Sequence, residues 1–158
     1  MKKRSAYPKR PRLKGFPYQG QYAYFVTVGT SNKRPFFSDS ETVKVVSGVI
    51  RVVAAQCGFL VYVYCFMPDH LHLLFSGSTE ASLARFVKIF KQKSGFYFRQ
   101  MYQQKLWQPS YWDHVLRAEE SLEQVARYIF ENPVRKGLVN SFKEYPFSGS
   151  MIFDLSNF

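Results

Sequence analysis

The chain predicts an α+β fold, an antiparallel sheet with helices packed on one face, and three observations predict it. Runs rich in β-branched and aromatic residues, typical of strands, recur along the 158 residues. Two of these runs, Phe59 to Phe66 and His70 to Ser76, are separated only by Met67-Pro68-Asp69, a connection short enough for a hairpin. The strand-like runs are interleaved with longer stretches whose apolar residues recur at helical spacing.

Taken in order, residues 1–14 hold seven Lys or Arg, no acid, and the prolines Pro8 and Pro11, which together oppose compact packing. A basic arm is expected there, one domain over residues 15–150, and a tail over 151–158. Tyr22, Tyr24, Val26 and Val28 alternate with Ala23, Phe25 and Thr27 to make a first strand. Ser38-Asp39-Ser40-Glu41 supplies capping residues ahead of Val43, Val46, Val49, Ile50 and Val53, so a helix of about four to five turns is expected to end before Gly58. After the hairpin, Leu83, Phe86, Val87, Phe90, Phe96 and Phe98 read as a helix from Glu80 to Met101, with a disturbance expected at Gly95. Pro109 precedes a fourth strand in which Trp112, His114 and Leu116 share one face and Tyr111, Asp113 and Val115 the other. Leu122, Val125, Ala126 and Ile129 mark a last helix limited by Pro133. The order β-α-β-β-α-β-α contains the split βαβ of a ferredoxin-like fold, which leaves one sheet face for function.

An apolar share of 46% suits a folded domain, and a net charge of +11 attracts polyanions at long range. Aromatic residues at 18% add rings on which unpaired bases can stack, so nucleic acid is the leading partner. Lys9, Arg10, Arg12 and Lys14 of the arm are candidates to grip phosphates, as are Arg85, Lys88, Lys91 and Lys93 in a stretch without acids from Ala81 to Gln108. Cys57 and Cys65 give neither a disulfide framework nor a zinc pattern and read as buried free thiols in a reducing compartment. No apolar run is long enough to span a bilayer, and the basic start is not followed by the apolar core of a secretory signal. A cytoplasmic location is therefore expected, with no membrane partner and no small-molecule cofactor.

Two of the three histidines, His70 and His72, stand at i, i+2 in the hairpin's second strand. Strand side chains alternate faces, so both point the same way from Cα atoms about 7 Å apart, within reach of one metal ion or one phosphate. Spacing alone also fits two solvated or hydrogen-bonded imidazoles. Tyr128 and Asn132 stand four apart on the last helix and so share a face. A phenol can act as a nucleophile and an amide oxygen as a third ligand beside two imidazoles. The same spacing equally suits a packed tyrosine and a helix-stopping asparagine.

The motifs also carry a resemblance. His70-Leu71-His72 resembles the histidine-hydrophobic-histidine signature of the HUH single-strand endonucleases, and Tyr128 with Asn132 resembles the tyrosine helix of their single-tyrosine branch. Met67-Pro68-Asp69-His70-Leu71-His72, Leu106-Trp107-Gln108-Pro109, Trp112-Asp113-His114, Ala126-Arg127-Tyr128-Ile129 and Asn132-Pro133-Val134-Arg135-Lys136-Gly137-Leu138-Val139 are together similar to the REP-associated tyrosine transposases. That resemblance implies a ferredoxin-like fold, Tyr128 as nucleophile, and His70, His72 and Asn132 as ligands of Mg²⁺ or Mn²⁺. It implies a single-stranded or hairpin DNA partner, cleavage of the strand flanking a short palindromic repeat, and a monomer or homodimer. Asn132 stands where the insertion-sequence relatives usually have glutamine, as suits the REP-associated branch.

Two rival readings follow from the same residues. One is a non-catalytic hairpin or palindrome binder, carried by charge and aromatic content alone. The other is a small metal-dependent hydrolase, for which Asp69 or Asp113 would serve as the base.

Overall fold

The strand that carries the histidine pair lies at the centre of the sheet. In the computed structural model, which describes residues 13–158, β1 (Ala23–Gly29), β2 (Phe59–Met67), β3 (His70–Gly77), β4 (Trp112–Val115) and β5 (Ser148–Gly149) form one sheet in the order β4-β1-β3-β2-β5. Every pairing is antiparallel. The first four strands reproduce the expected ferredoxin-like arrangement, and β5 extends it beyond β2. Pro68 and Asp69 alone join β2 to β3, which sets Met67 opposite His70 and Cys65 opposite His72. On the other side of β3, Thr27 of β1 faces His72.

Alternation sorts the strands into two cores. Tyr24, Val26, Val28, Leu71, Leu73 and Phe75 point to one face, where α1 (Ser40–Cys57) and α2 (Leu83–Tyr102) cover them. Phe25, Leu74, Val63, Cys65 and Met67 point to the other. A register shift between Val61 and Val63 lets β2 serve both cores: Phe59 and Val61 face the first, whereas Val63, Cys65 and Met67 face the second. One unpaired residue in a strand inverts the faces of everything after it.

α1 begins and ends where its sequence directs. The Asp39 carboxylate accepts from the Glu41 N–H and the Thr42 hydroxyl, satisfying donors of the first turn, and Gly58 at φ 77° closes the last turn in the left-handed conformation. α2 starts after the Ser82 cap and runs unbroken past Gly95, so the disturbance expected there is absent. A glycine costs a helix about 1 kcal/mol, which the burial of Phe86, Phe90 and Phe98 on either side outweighs. The buried Ser94 hydroxyl accepts from Trp107 Nε1 and donates to the Phe90 carbonyl, tying α2 to the segment before β4.

The expected last helix is in two pieces. α3 (Leu122–Phe130), capped by Ser121, stops at Glu131, and a single turn, α4 (Asn132–Arg135), restarts with Pro133 in its first turn. The one-faced packing expected of the helices describes α1 and α2. α3 adds to it from the opposite side, burying Ala126, Ile129 and Phe130 against Phe25, Val63 and Leu74. Part of the expected arm, including Lys9, Arg10 and Arg12, lies outside the described residues. Beyond it, Phe16 and Tyr18 pack on the first core, and Leu155 in the tail packs on the second. Cys57 and Cys65 are buried free thiols. No helix among the described residues is long and apolar enough to cross a membrane.

Candidate active site

His70 and His72 emerge from β3 on the face that α3 and α4 partly cover. Their Nε2 atoms lie 3.1 Å apart. Each ring is oriented from behind: His70 Nδ1 meets the Asp69 carboxylate at 2.6 Å, and His72 Nδ1 meets the Thr27 hydroxyl at 2.8 Å. A ring whose Nδ1–H donates backwards presents the Nε2 lone pair forwards, the arrangement that metal-binding histidines share. The His70 hydrogen bond holds Asp69 below the usual carboxylate range. His72 is only 2% exposed. Burial pushes its pKa well below the ordinary histidine value, and the positive charges of Arg135 and Lys136 push the same way. His72 is therefore held as the neutral ligand form.

Asn132 joins the pair from α4. Its side chain is buried, and its amide Nδ2 lies 2.8 Å from His72 Nε2. It opens the turn that restarts directly after Glu131, where Asn132 and Pro133 are both buried. Rotating the amide by half a turn exchanges N for O and presents an oxygen at the same spot. Two imidazole lone pairs brought this close repel unless a proton or cation lies between them, so this donor set fits a divalent cation. Among the described residues no group of three His, Cys, Asp or Glu could hold a metal ion.

Tyr128 stands on the same side of the sheet, 58% exposed. Its ring meets Phe25 edge to face at 6.4 Å, and Phe25 in turn lies 5.4 Å from the His72 ring, so one aromatic side chain separates the phenol ring from the histidine. The Arg135 guanidinium lies over the Tyr128 ring at 4.1 Å. Tyr128, near the end of α3, is exposed, whereas Asn132, four residues on at the start of α4, is buried.

The basic candidates are distributed differently. Arg85, Lys88 and Lys93 are exposed on α2, on the side of the sheet opposite the histidines, and the structure does not bring them to the site. Lys91 does not face outwards as a free phosphate contact: its ammonium donates to the carbonyls of Gln108 and Ser110 at 2.8 and 3.0 Å. Lys14 lies in the turn before Phe16. His114 stacks beside Trp112, with which it shares a strand face, and pairs with Glu120 at 2.9 Å. Asp69 orients His70. Asp113, next to Trp112 on β4, projects to the opposite face of the sheet from the histidine pair, as strand alternation requires.

Sequence reasoning did not single out Thr27, Arg135 or Lys136 as part of this site. Thr27 could have been found from the pairing of the first strand with the histidine strand. Arg135 and Lys136 stand three and four residues beyond Asn132, a spacing that returns to the same face of a helix.

Residues 18–132 match the family described as Transposase IS200 like, a span that includes both histidines, Tyr128 and Asn132. The REP-associated tyrosine transposase of Escherichia coli is 26% identical over 128 residues, covering 79% of this chain and 74% of that protein. The ISDra2 transposase TnpA of Deinococcus radiodurans is 32% identical over 88 residues, 51% of this chain and 63% of the relative. Among solved structures, a REP-associated tyrosine transposase bound to a REP hairpin shares the fold at a TM-score of 0.74, with 21% identity over 88% of this chain and 82% of that one.

Proposed function

The chain belongs to the IS200-like transposase family, and from that premise we propose that it is a divalent-metal-dependent single-stranded DNA endonuclease and strand transferase acting on hairpin-forming palindromic repeats. The observation that carries this reading is the meeting of three donors at His72 Nε2, with His70 Nε2 at 3.1 Å and the Asn132 amide at 2.8 Å from it, on the face where Tyr128 is exposed. The likeness to REP-associated relatives, one of them solved with a REP hairpin, supports the substrate class.

His70, His72 and Asn132 would hold Mg²⁺ or Mn²⁺, which when bound supplies Lewis-acid stabilisation of charge on the scissile phosphate. Thr27 and Asp69 keep both imidazoles turned towards that phosphate. Lys136 adds positive charge near His72, where the phosphate would approach. The Tyr128 hydroxyl gives up its proton as its oxygen attacks phosphorus, the bond from phosphorus to the 3′ oxygen breaks, and the leaving oxygen takes up a proton as the 3′-hydroxyl. The 5′-phosphate stays on Tyr128 as a phosphotyrosyl ester. Because a phosphodiester is retained, a 3′-hydroxyl can attack it in reverse and join strands without ATP.

The test is incubation of labelled single-stranded hairpin DNA carrying its flanking bases with the protein and Mg²⁺ or Mn²⁺, followed by denaturing electrophoresis. A covalent protein–DNA band that disappears in Tyr128→Phe while hairpin binding persists supports the reading, and His70→Ala should lose the metal-dependent cleavage. Hairpin affinity with no adduct under any metal would favour the binding-only reading. Turnover without covalent linkage would favour a hydrolase.

A further inference from the structure

Seven residues beyond Tyr128, Arg135 folds back across the junction between α3 and α4. Its Nη2 donates to the Tyr128 main-chain carbonyl at 2.6 Å, and the same guanidinium lies 4.1 Å from the centroid of the Tyr128 ring. One planar group thus fixes the root of the side chain and one face of its ring. Phe25 meets that ring edge to face at an interplanar angle of 73°. A tyrosine 58% exposed in the last turns of a short helix would otherwise exchange among staggered rotamers. An arginine near a helix C-terminus commonly bonds a terminal carbonyl and does nothing more. Covering the aromatic ring with the same group is not required for that, and only a planar, forked cation can do both at once.

We propose that Arg135 is a positioning residue for Tyr128, clamping the phenol in one orientation on the face of the histidine pair. The inference rests on the reading of Tyr128 as the nucleophile. An attacking oxygen held in place before substrate arrives has less rotational freedom to lose in reaching phosphorus. Displacing such a group by an ångström slows a reaction by about 100-fold. Lysine keeps the charge but cannot lie flat on the ring while bonding the carbonyl. Glutamine keeps an N–H for the carbonyl and loses the cation over the ring.

The experiment measures single-turnover cleavage and, separately, equilibrium affinity for labelled hairpin DNA in wild type, Arg135→Ala, Arg135→Gln and Arg135→Lys, with and without millimolar guanidinium ion. Circular dichroism is recorded for each, and Arg135→Gln carries the test if Arg135→Ala does not fold. Cleavage slowed by about 10- to 100-fold in both Ala and Gln variants is expected. Hairpin affinity should stay close to wild type, and guanidinium should restore part of the rate in Arg135→Ala but not in Tyr128→Phe. Wild-type cleavage in Arg135→Gln would reduce the residue to a helix cap and overturn the proposal. Parallel loss of affinity and cleavage would make it a phosphate contact and overturn it equally. A wild-type protein that forms no adduct on Tyr128 defeats the parent reading, whereas a normal adduct with unimpaired Arg135 variants defeats this inference alone.

Discussion

Thr27→Val removes a single oxygen and tests whether the strand behind the histidines sets their chemistry. Thr27 and His72 are both buried, opposite one another on β1 and β3, and joined at 2.8 Å. Valine matches threonine in shape and strand preference, so the packing is preserved and only the acceptor for His72 Nδ1 is lost. Removing one partner of a buried hydrogen bond costs about 1–3 kcal/mol. At this chain length each kcal/mol lowers Tm by about 2–4 °C, so a loss of about 2 kcal/mol predicts a fall of about 4–8 °C. The functional effect is separate: without the rear acceptor, the ring loses the contact that fixes its tautomer and orientation. Loss of such a partner weakens metal binding by about 10- to 100-fold. Thermal denaturation gives the first quantity and titration with Mn²⁺ the second, with Thr27→Ser, which keeps the hydroxyl, as the control. A Thr27→Val variant with wild-type Tm and wild-type Mn²⁺ affinity would refute the idea that Thr27 orients His72.

Further substitutions separate site from scaffold. Asn132→Ala should weaken Mn²⁺ binding, whereas Asn132→Asp, which keeps an oxygen and adds charge, should bind at least as tightly as wild type by calorimetry. Lys91→Met strips the ammonium from two main-chain carbonyls, one of them on Ser110 at φ 72°. It should cost about 1–3 kcal/mol in urea denaturation while leaving hairpin affinity nearly unchanged, the opposite of what a phosphate contact would do. Gly58→Ala places a side chain at φ 77° at the end of α1, its Cβ 2.5 Å from the Ser78 hydroxyl oxygen unless that side chain turns away, and should lower stability by about 1–2 kcal/mol without affecting cleavage.

Features governed by local chemistry were legible before any coordinates. The Asp39 cap, the Gly58 stop, the Pro68-Asp69 hairpin and the two-residue period of β1 and β3 each depend on neighbours in the chain. Putting His70 and His72 on one face needed nothing more than that period. What could not be read depends on the fold as a whole. The bulge at Tyr62, which turns Val63 and Cys65 towards the second core, has no glycine or proline to announce it. Pro133 signalled a limit to the last helix, but not that the chain would restart one residue earlier and bury Asn132 beside His72. Lys91 looked like part of a basic face because charge runs are visible in sequence, whereas the Gln108 and Ser110 carbonyls that claim its ammonium meet it only after folding. The partner of Arg135 was hidden for the same reason.

The central claim is that Tyr128 forms the covalent bond to DNA. The most direct measurement is mass spectrometry of tryptic peptides after reaction of the intact protein with hairpin DNA bearing its single-stranded flank, in Mg²⁺ or Mn²⁺. The account predicts a nucleotide mass, attached through phosphate, on the peptide containing Tyr128, with fragment ions placing it on that tyrosine. An adduct mapped to any other residue, or cleaved DNA with every peptide unmodified, would contradict it.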